Sequence, residues 1–597
     1  MRQTLDFLLN VWLGVQDLTL RARFAEHSAE TFAAVLDTCE KIAREKFAPI
    51  ARLTDTEEPR FDGERVHLPA ATKAATDAYV ASGMLAAAQD YAIGGMQLPC
   101  VIEMAANAFF SKANVAVGAY AMLTAGNANL LMAHGTAKQR EVFAAAEFEG
   151  RWFGTMCLSE PQAGSSLSDI RTRAELEFAD DPLGQRFRLK GNKMWISAGE
   201  HELSENIIHL VLAKIPGQDG KLVAGARGIS LFIVPKKMVG ADGQLTGERN
   251  DVRLAGLNHK LGFRGTSNCL LNFGEGGAGA VGYLVGQPGE GLKCMFHMMN
   301  EARIGVGLGA VMLGYAGYEA SLAYARQRSQ GRAIGPAGKD ATQPQRPIIE
   351  HADVKRMLLA QKSYVEGGLA LALLCARLVD EQHSGAADAA KEAKLVLEVL
   401  IPIVKSWPSE WCLEANSLAI QVLGGYGYTR DFPVEQYWRD NRLNMIHEGT
   451  HGIHGLDLLG RKVVMNGGEA LLALAARINF TVETALQQPE LAELGNALAA
   501  ALANVGRATK NAWSSGKPEE ALANATPYLQ AFGHLVLAWI WLDVVLKAGQ
   551  GKASEFTQGK QAACRYFFAY ELPKIEAWLG VVSRREALCK DMPEAWF

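Results

Sequence analysis

Asn444-Met445-Ile446-His447-Glu448-Gly449-Thr450-His451-Gly452-Ile453-His454 is the stretch on which the reading of this chain turns. Letter by letter, His447-Glu448-Gly449-Thr450-His451 is H-E-x-x-H, a zinc-hydrolase pattern whose two histidines must share one face of a helix. The same letters describe a single acid on a Gly-Thr turn, flanked by groups able to aim one carboxylate into a pocket. A polar loop without chemistry is the plain alternative. A regular helix through the central pair is disfavoured. Gly449 costs roughly 1 kcal/mol relative to alanine and Thr450 adds a smaller penalty. Gly452 and Gly455 then make three glycines in seven residues. A third ligand at His454 lies only three residues past His451, off the metzincin spacing. The turn reading is favoured, and no metal is expected.

Motifs elsewhere in the chain agree with a turn. Upstream stands Gly154-Thr155-Met156-Cys157-Leu158-Ser159-Glu160-Pro161-Gln162-Ala163-Gly164-Ser165-Ser166, followed by Lys190-Gly191-Asn192-Lys193-Met194-Trp195-Ile196-Ser197-Ala198-Gly199. Later come Gln421-Val422-Leu423-Gly424-Gly425-Tyr426-Gly427-Tyr428 and Arg439-Asp440. In this order and spacing, and together with Glu448-Gly449-Thr450, they resemble the acyl-CoA dehydrogenases. The resemblance covers roughly residues 60 to 465. With the further segment after Lys462, the chain looks most like the long bacterial branch of that family, which includes methylthiopropionyl-CoA dehydrogenases and dehydrogenases for long-chain or aryl-substituted acyl-CoA. The fold this implies is mostly α with a central β domain: an N-terminal helical bundle, a β-barrel-like middle domain, a C-terminal helical bundle and an extra C-terminal helical domain.

Length and composition suit that expectation. A chain of 597 residues calls for several domains. Apolar residues at 49% and charged residues at 21% are ordinary for a globular protein. A net charge of −4 gives no reason to expect a nucleic-acid partner. Nine cysteines without a C-x-x-C spacing read as reduced thiols in a cytoplasmic compartment. Met1 to Leu20 mixes apolar residues with Arg2, Asp6 and Asp17, unlike a signal peptide. No window of 18 uncharged apolar residues is present, so no integral membrane segment is expected.

Four segments emerge. Residues 1–150 carry helical apolar spacing, with Ala86-Ala87-Ala88 and Ala105-Ala106 suited to close helix packing and a loop at Asp90-Tyr91-Ala92-Ile93-Gly94-Gly95. Residues 151–285 read as a β domain, with strand-like runs at Phe187–Lys190, Ile207–Leu212 and Ile229–Val234. Residues 286–465 return to long helical periods, broken by a polar loop at Arg332 to Pro347. Residues 466–597 are a helical, alanine-rich extension with a weak linker at Trp513 to Glu519. Gly305-Val306-Gly307-Leu308-Gly309-Ala310 imitates a dinucleotide fingerprint, but it follows no strand and sits in a helical pattern. Its glycines are read as sites of close helix approach, and a flavin would be bound outside a Rossmann frame.

The chemistry explains why one carboxylate is needed. The α-hydrogen of an acyl thioester is weakly acidic, so its removal needs a positioned base and stabilisation of the enolate oxygen. The β-hydrogen leaves as hydride, which no side chain accepts, so a redox cofactor is required. The resemblance implies FAD as that cofactor, flavin N5 as hydride acceptor and Glu448 as the base. It implies that the enolate oxygen is held by the Glu448 N–H and a ribityl hydroxyl. A glutamate in water titrates near ~4.3, and burial by substrate and flavin would raise it into a useful range.

Carried over position by position, the resemblance assigns cofactor contacts to Met156, Leu158, Ser159, Gly164, Ser165, Trp195, Ser197 and Thr450. It adds Arg328, Gln330, Gln421, Gly424 and Gly425 as contacts to the FAD of a neighbouring subunit, which implies a homodimer. Ser165, Asn300, Arg303, His447 and Gly449 fall at substrate positions. Asn300 stands where many relatives carry Asp, His447 replaces the more usual Tyr, and Ser166 stands where Asp is common. His451 and His454 receive no role. The product would be a trans-2-enoyl-CoA, with electrons passed to electron-transferring flavoprotein. The extension would replace contacts that a second dimer makes in tetrameric relatives. Two alternatives stand beside this reading: a nucleic-acid-associated flavoprotein of the same fold, like the alkylation-damage response branch, and the zinc hydrolase. The first would carry a strongly basic C-terminal face, which 466–597 lacks. Chain length, branching and aryl or thioether preference are not encoded in these motifs.

Overall fold

The computed structural model describes residues 1–336, 338–551 and 553–597. The chain forms two compact units. One comprises Thr31–Leu98 and Phe109–Gly305, the other Met1–Glu30, Pro99–Ala108 and Val306–Phe597.

The first unit is organised by an eight-stranded sheet. In spatial order it runs Val252–Leu257, Asn268–Phe273, Arg186–Ser197, Ala280–Val285, Ile229–Pro235, Asn206–Lys214 and Trp152–Cys157. Arg173–Phe178 pairs with Arg186–Ser197 along its length and bridges to Asn206–Lys214 at Lys214. That bridge closes five strands into a ring, the barrel-like middle domain expected. Trp152–Cys157 runs parallel to Asn206–Lys214, with Met156 opposite Leu210. Alternation explains the layering. Leu210 and Leu212 face a core shared with Trp152, Phe153, Met156 and the helical residues Tyr120, Leu130 and Phe143. Val211 and Ala213 face a second core with Phe187, Leu189, Phe232 and Phe273. Both faces are covered, so the strand reads as a continuous apolar run.

The second unit is helical. Ala352–Ser384 and Ala387–Leu423 form a long antiparallel hairpin. Ala387–Leu423 carries Pro402 and Pro408 in its interior. Pro408 lacks the N–H that would bond Val404 O. Gly307 backs against that carbonyl so closely that a Cβ would collide with it. Gly305-Val306-Gly307 therefore lies within the helix Gly291–Gln327, and Gly307 is there for close approach, as the sequence suggested. Buried polar groups tie the N-terminus in: Lys560 Nζ reaches Glu366 at 2.9 Å and Thr4 Oγ1 at 2.8 Å, and Lys362 Nζ reaches Glu366 at 2.7 Å.

The extension contributes Glu469–Leu486, Ala492–Ala512, Ala525–Gly549, Glu555–Tyr566 and Ile575–Arg584. Ala525–Gly549 is its central rod, and Trp541 Nε1 donates to Ser363 O at 3.0 Å. By length and composition two helices, Cys100–His134 and Ala525–Gly549, are apolar enough to cross a membrane. Their most apolar windows are 67% and 89% buried within the protein, as in core helices.

Candidate active site

In the sheet unit, Met156 is buried near the end of Trp152–Cys157, and Leu158 and Ser159 follow half-buried. A second segment is bound to this loop. Met194 N donates to Ser159 O at 3.0 Å, and Lys193 Nζ donates to Leu158 O at 2.9 Å. Between the pairs Lys193–Leu271 and Ile196–Cys269 the register slips by one residue. Trp195 sits in this bulge at φ +66, a left-handed backbone that an aromatic residue rarely adopts. The bulge turns the indole outward, and Trp195 is 60% exposed. Ser197 lies two residues on and accepts from Asn268 Nδ2 at 3.3 Å. Gly164 and Ser165 are exposed, with open space where a Gly164 Cβ would stand.

Glu160 fastens this half. Its Oε1 accepts from Lys193 Nζ (2.9 Å), Thr172 Oγ1 (2.6 Å) and Thr172 N (3.0 Å), and its Oε2 from Arg171 N and Gln162 Nε2 (each 2.7 Å). Burial pushes the carboxyl up, but the Lys193 ammonium, the Thr172 hydroxyl and the two backbone N–H groups outweigh it and hold it at about 2. Lys193 itself is pushed down by burial, against the pull of Glu160. Sequence reading quoted both residues without giving either a role. In the same unit Arg303 is buried, with Nη1 3.4 Å from Asn300 Oδ1 and its guanidinium 5.9 Å from the Phe296 ring centre.

In the helical unit the Glu448 loop is a tight turn. Glu448 has φ +54 and Gly449 φ +100. Thr450 caps the helix His451–Asp457, its Oγ1 accepting from Ile453 N at 3.5 Å. The helix thus starts at His451, leaving His447 in the turn, so the two histidines of H-E-x-x-H share no helical face. His451 Nε2 turns to Glu410 at 3.0 Å. His454 is fully buried, and its Nε2 donates to Glu448 O at 3.0 Å. Lys405, fully buried on Ala387–Leu423, donates Nζ to Gly449 O. Just upstream, Asn444 Nδ2 bonds Asn441 Oδ1 (2.9 Å), and Asn441 Nδ2 bonds Ala310 O (3.0 Å) and Asn416 Oδ1 (2.8 Å). This buried amide chain fixes where the loop begins.

A separate surface of this unit gathers the remaining positions. Arg328, Gln330, Gln421, Gly424 and Gly425 are all exposed. The Arg328 guanidinium lies 5.8 Å from the Tyr426 ring centre, and Gln330 O accepts from His351 Nε2 at 2.7 Å. Gly424, at φ +62, and Gly425 leave open space where a Cβ would stand.

Comparison with known proteins identifies the family. Residues 155–275 match the model "Acyl-CoA dehydrogenase, middle domain", 289–463 match "Acyl-CoA dehydrogenase, C-terminal domain", and 474–593 match "Acetyl-CoA dehydrogenase C-terminal like". The chain is 35% identical over 573 residues to 3-methylmercaptopropionyl-CoA dehydrogenase of Ruegeria pomeroyi, covering 94% of this chain and 93% of that protein. The chain belongs to the acyl-CoA dehydrogenase family.

It is also 31% identical to the broad-specificity linear acyl-CoA dehydrogenase FadE5 of Mycobacterium tuberculosis, over 98% of this chain and 97% of that one. Among solved structures, the acyl-CoA dehydrogenase complexed with FAD from Bacillus anthracis aligns with a TM-score of 0.73 at 20% identity, covering 94% of this chain and 88% of that one. Caenorhabditis elegans ACDH-11 in complex with C11-CoA aligns with a TM-score of 0.77 at 18% identity, covering 95% and 92%. These two show the shared fold.

The chain is thus an acyl-CoA-dehydrogenating oxidoreductase, and its cofactor is FAD. The residues present suit that group. Trp195 offers an exposed aromatic face, Gly164 and Gly424 leave backbone open to a large ligand, and Arg328 supplies a permanent cation for a diphosphate. Sequence reading missed Lys405, which reaches the Glu448 loop from another helix. Its only signal is a single charge in the apolar run Val399–Trp407.

Proposed function

We propose that this enzyme converts an acyl-CoA thioester to its trans-2-enoyl-CoA, with Glu448 removing the α-proton. The observation that carries this is the Glu448 turn: an acid on left-handed backbone whose own carbonyl and the next are both gripped by buried side chains. Strain of this kind is retained where surrounding structure imposes it, often at functional sites. Thr450, as helix cap, fixes the far end of the turn. Met156, Leu158, Ser159, Gly164, Ser165, Trp195, Ser197 and Thr450 would hold the cofactor, and FAD, when bound, supplies the acceptor for the β-hydride. The backbone N–H of Glu448 would donate to the thioester oxygen as negative charge develops there. Arg303, Asn300, Ser165, His447 and Gly449 would seat the CoA thioester.

Electrons would pass to electron-transferring flavoprotein. The exposed set Arg328, Gln330, Gln421, Gly424 and Gly425 supports a homodimer in which each subunit completes the other's FAD site, and the free cysteines support a cytoplasmic compartment. The names of the relatives favour straight-chain and thioether-bearing acyl groups as substrates in fatty-acid-type β-oxidation.

The test is spectroscopic. Purified protein should be yellow, and its flavin absorption should bleach when acyl-CoA is added without oxygen. Glu448→Gln should retain FAD and bind acyl-CoA, yet slow bleaching by about 10³-fold or more, within the range for a lost general base. Bleaching at an unchanged rate in Glu448→Gln would remove Glu448 as the base. A yellow protein that never bleaches but retards DNA on a gel would favour the nucleic-acid-associated alternative.

A further inference from the structure

Apart from Gln421 near its end, no residue of the helix Ala387–Leu423 has a part in the reaction as described above. At Lys405 it places an ammonium group with no solvent-exposed surface against the carbonyl of Gly449, 44 residues away in the chain. Burying a lysine is costly unless its charge is engaged. Here it is turned on the peptide that follows the base. The second grip comes from the base's own helix, where His454, also without exposed surface, directs Nε2 at Glu448 O at 3.0 Å. A carbonyl only accepts, so Nε2 carries the proton in this bond. Two consecutive peptide planes, those after Glu448 and after Gly449, are therefore each held by one buried donor.

The geometry beneath these donors is rigid. Lys405 O accepts from Ser409 Oγ at 2.5 Å, and Pro402 and Pro408 flank it within the helix. His454 N bonds back to Thr450 O at 3.1 Å, and Gly455 packs against Ala525, where a Cβ would stand 2.6 Å from its carbonyl. The held segment needs such support, because Glu448 at φ +54 and Gly449 at φ +100 lie where an unsupported chain spends little time.

We propose that Lys405 and His454 form a two-point clamp that locks the Glu448–Gly449 turn, so that the Glu448 carboxylate and backbone N–H are presented in one fixed orientation. Both are positioning residues, acting through the backbone of the base without touching substrate. The inference rests on the reading of Glu448 as the base. Its energetic logic is preorganisation: a base loop free to sample ordinary backbone states would carry the carboxylate and the N–H off target together, and a displacement of about 1 Å costs roughly 10²-fold in rate.

The experiment uses the FAD-loaded enzyme and two pairs of variants. Lys405→Met and His454→Leu remove each donor, while Lys405→Gln and His454→Gln restore a neutral N–H. Three quantities are read: acyl-CoA affinity, the rate of anaerobic flavin bleaching, and the pH at which bound acetoacetyl-CoA ionises to its enolate. The last reports enolate stabilisation without any turnover. Lys405→Met and His454→Leu should leave affinity within about threefold, slow bleaching by roughly 10²-fold, and move the enolisation midpoint upward by about one pH unit. The glutamine variants should recover at least about tenfold in rate. Bleaching and enolisation unchanged in Lys405→Met and His454→Leu would overturn the clamp. So would glutamine variants as slow as the apolar ones, since bulk packing and not the donor would then be at work. If Lys405→Met yields no folded flavoprotein, the His454 pair decides by the same criteria. A wild-type enzyme that bleaches with no acyl-CoA thioester overturns the dehydrogenation reading itself, whereas a bleaching wild type with indifferent variants overturns only the clamp.

Discussion

Replacing Glu160 by glutamine should loosen the sheet unit around Ser159 and Met194, and the size of the effect follows from its hydrogen bonds. Five donors converge on the carboxylate, three on Oε1 and two on Oε2. In Glu160→Gln the amide oxygen serves one cluster and the NH2 must face the other, so at least one backbone N–H, that of Arg171 or of Thr172, confronts a donor whichever way the amide turns. The change also leaves Lys193 buried without its counter-charge. Breaking a buried pair from one side costs about 3–5 kcal/mol. Its depressed proton affinity points the same way: a carboxyl held at about 2 rather than its ordinary 4.5 corresponds to about 3 kcal/mol. Because the folded value is depressed, this contribution is present above about 4.5 and is lost as pH falls toward about 2. At neutral pH, Glu160→Gln should lower the temperature of FAD release, read by flavin fluorescence, by roughly 6–12 °C, taking about 2–4 °C per kcal/mol for a large folding unit. Between pH 5.5 and 3.5 the wild type should lose stability more steeply than the variant. The double change Glu160→Gln with Lys193→Met should recover part of the loss, because no unpaired charge then remains buried. A variant that releases FAD within about 1 °C of wild type, with the same pH slope, would refute the reasoning.

Three further outcomes can be checked together. Gly449→Ala should fold but run slowly, since φ +100 strains an alanine and its Cβ would lie 2.7 Å from His454 Nε2. A stability loss of about 1–3 kcal/mol and a 10- to 100-fold drop in bleaching rate are expected by melting and stopped-flow absorbance. Gly307→Ala should be destabilised by at least about 1–3 kcal/mol through overpacking against Val404 O, with bleaching per folded enzyme nearly unchanged. Arg303→Met should raise the KM for acyl-CoA by about tenfold while kcat moves little, the pattern of lost uniform binding.

Much of this architecture was legible because it is periodic. The change from helical spacing to alternation after Trp152 marks the β domain, and Leu210 to Ala213 sort to opposite cores as their parity requires. The turn at Glu448 was legible from Gly449 and Thr450, which resist a helix. What escaped was set by tertiary context. The bulge at Trp195 exists because Asn268–Phe273 is one residue short opposite it, and nothing in Met194-Trp195-Ile196 announces that. Pro402 and Pro408 should end a helix by local rules, yet Ala387–Leu423 runs through both, held by Ala352–Ser384 on one side. The roles of Lys405 and His454 were invisible because each depends on a backbone carbonyl, which leaves no letter in the sequence.

The C-terminal extension acquires a meaning from where it packs. Gly455, on the helix that follows the Glu448 turn, has no room for a side chain because the carbonyl of Ala525 occupies it, and Gly460 just beyond that helix lies against Leu522. Trp513 Nε1 donates to Leu459 O at 3.2 Å. On the other side of the clamp, Trp407 is two residues from Lys405, donates Nε1 to His534 Nδ1 at 3.1 Å and packs against Gly533. Both elements that grip the Glu448 turn are therefore backed by the same helix of the extension, Ala525–Gly549. A preorganised turn is only as rigid as the shell behind it. The extension is thus part of the support of the Glu448 turn, and substitutions at Ala525, Gly533 or His534 act on that turn through one or two packed layers.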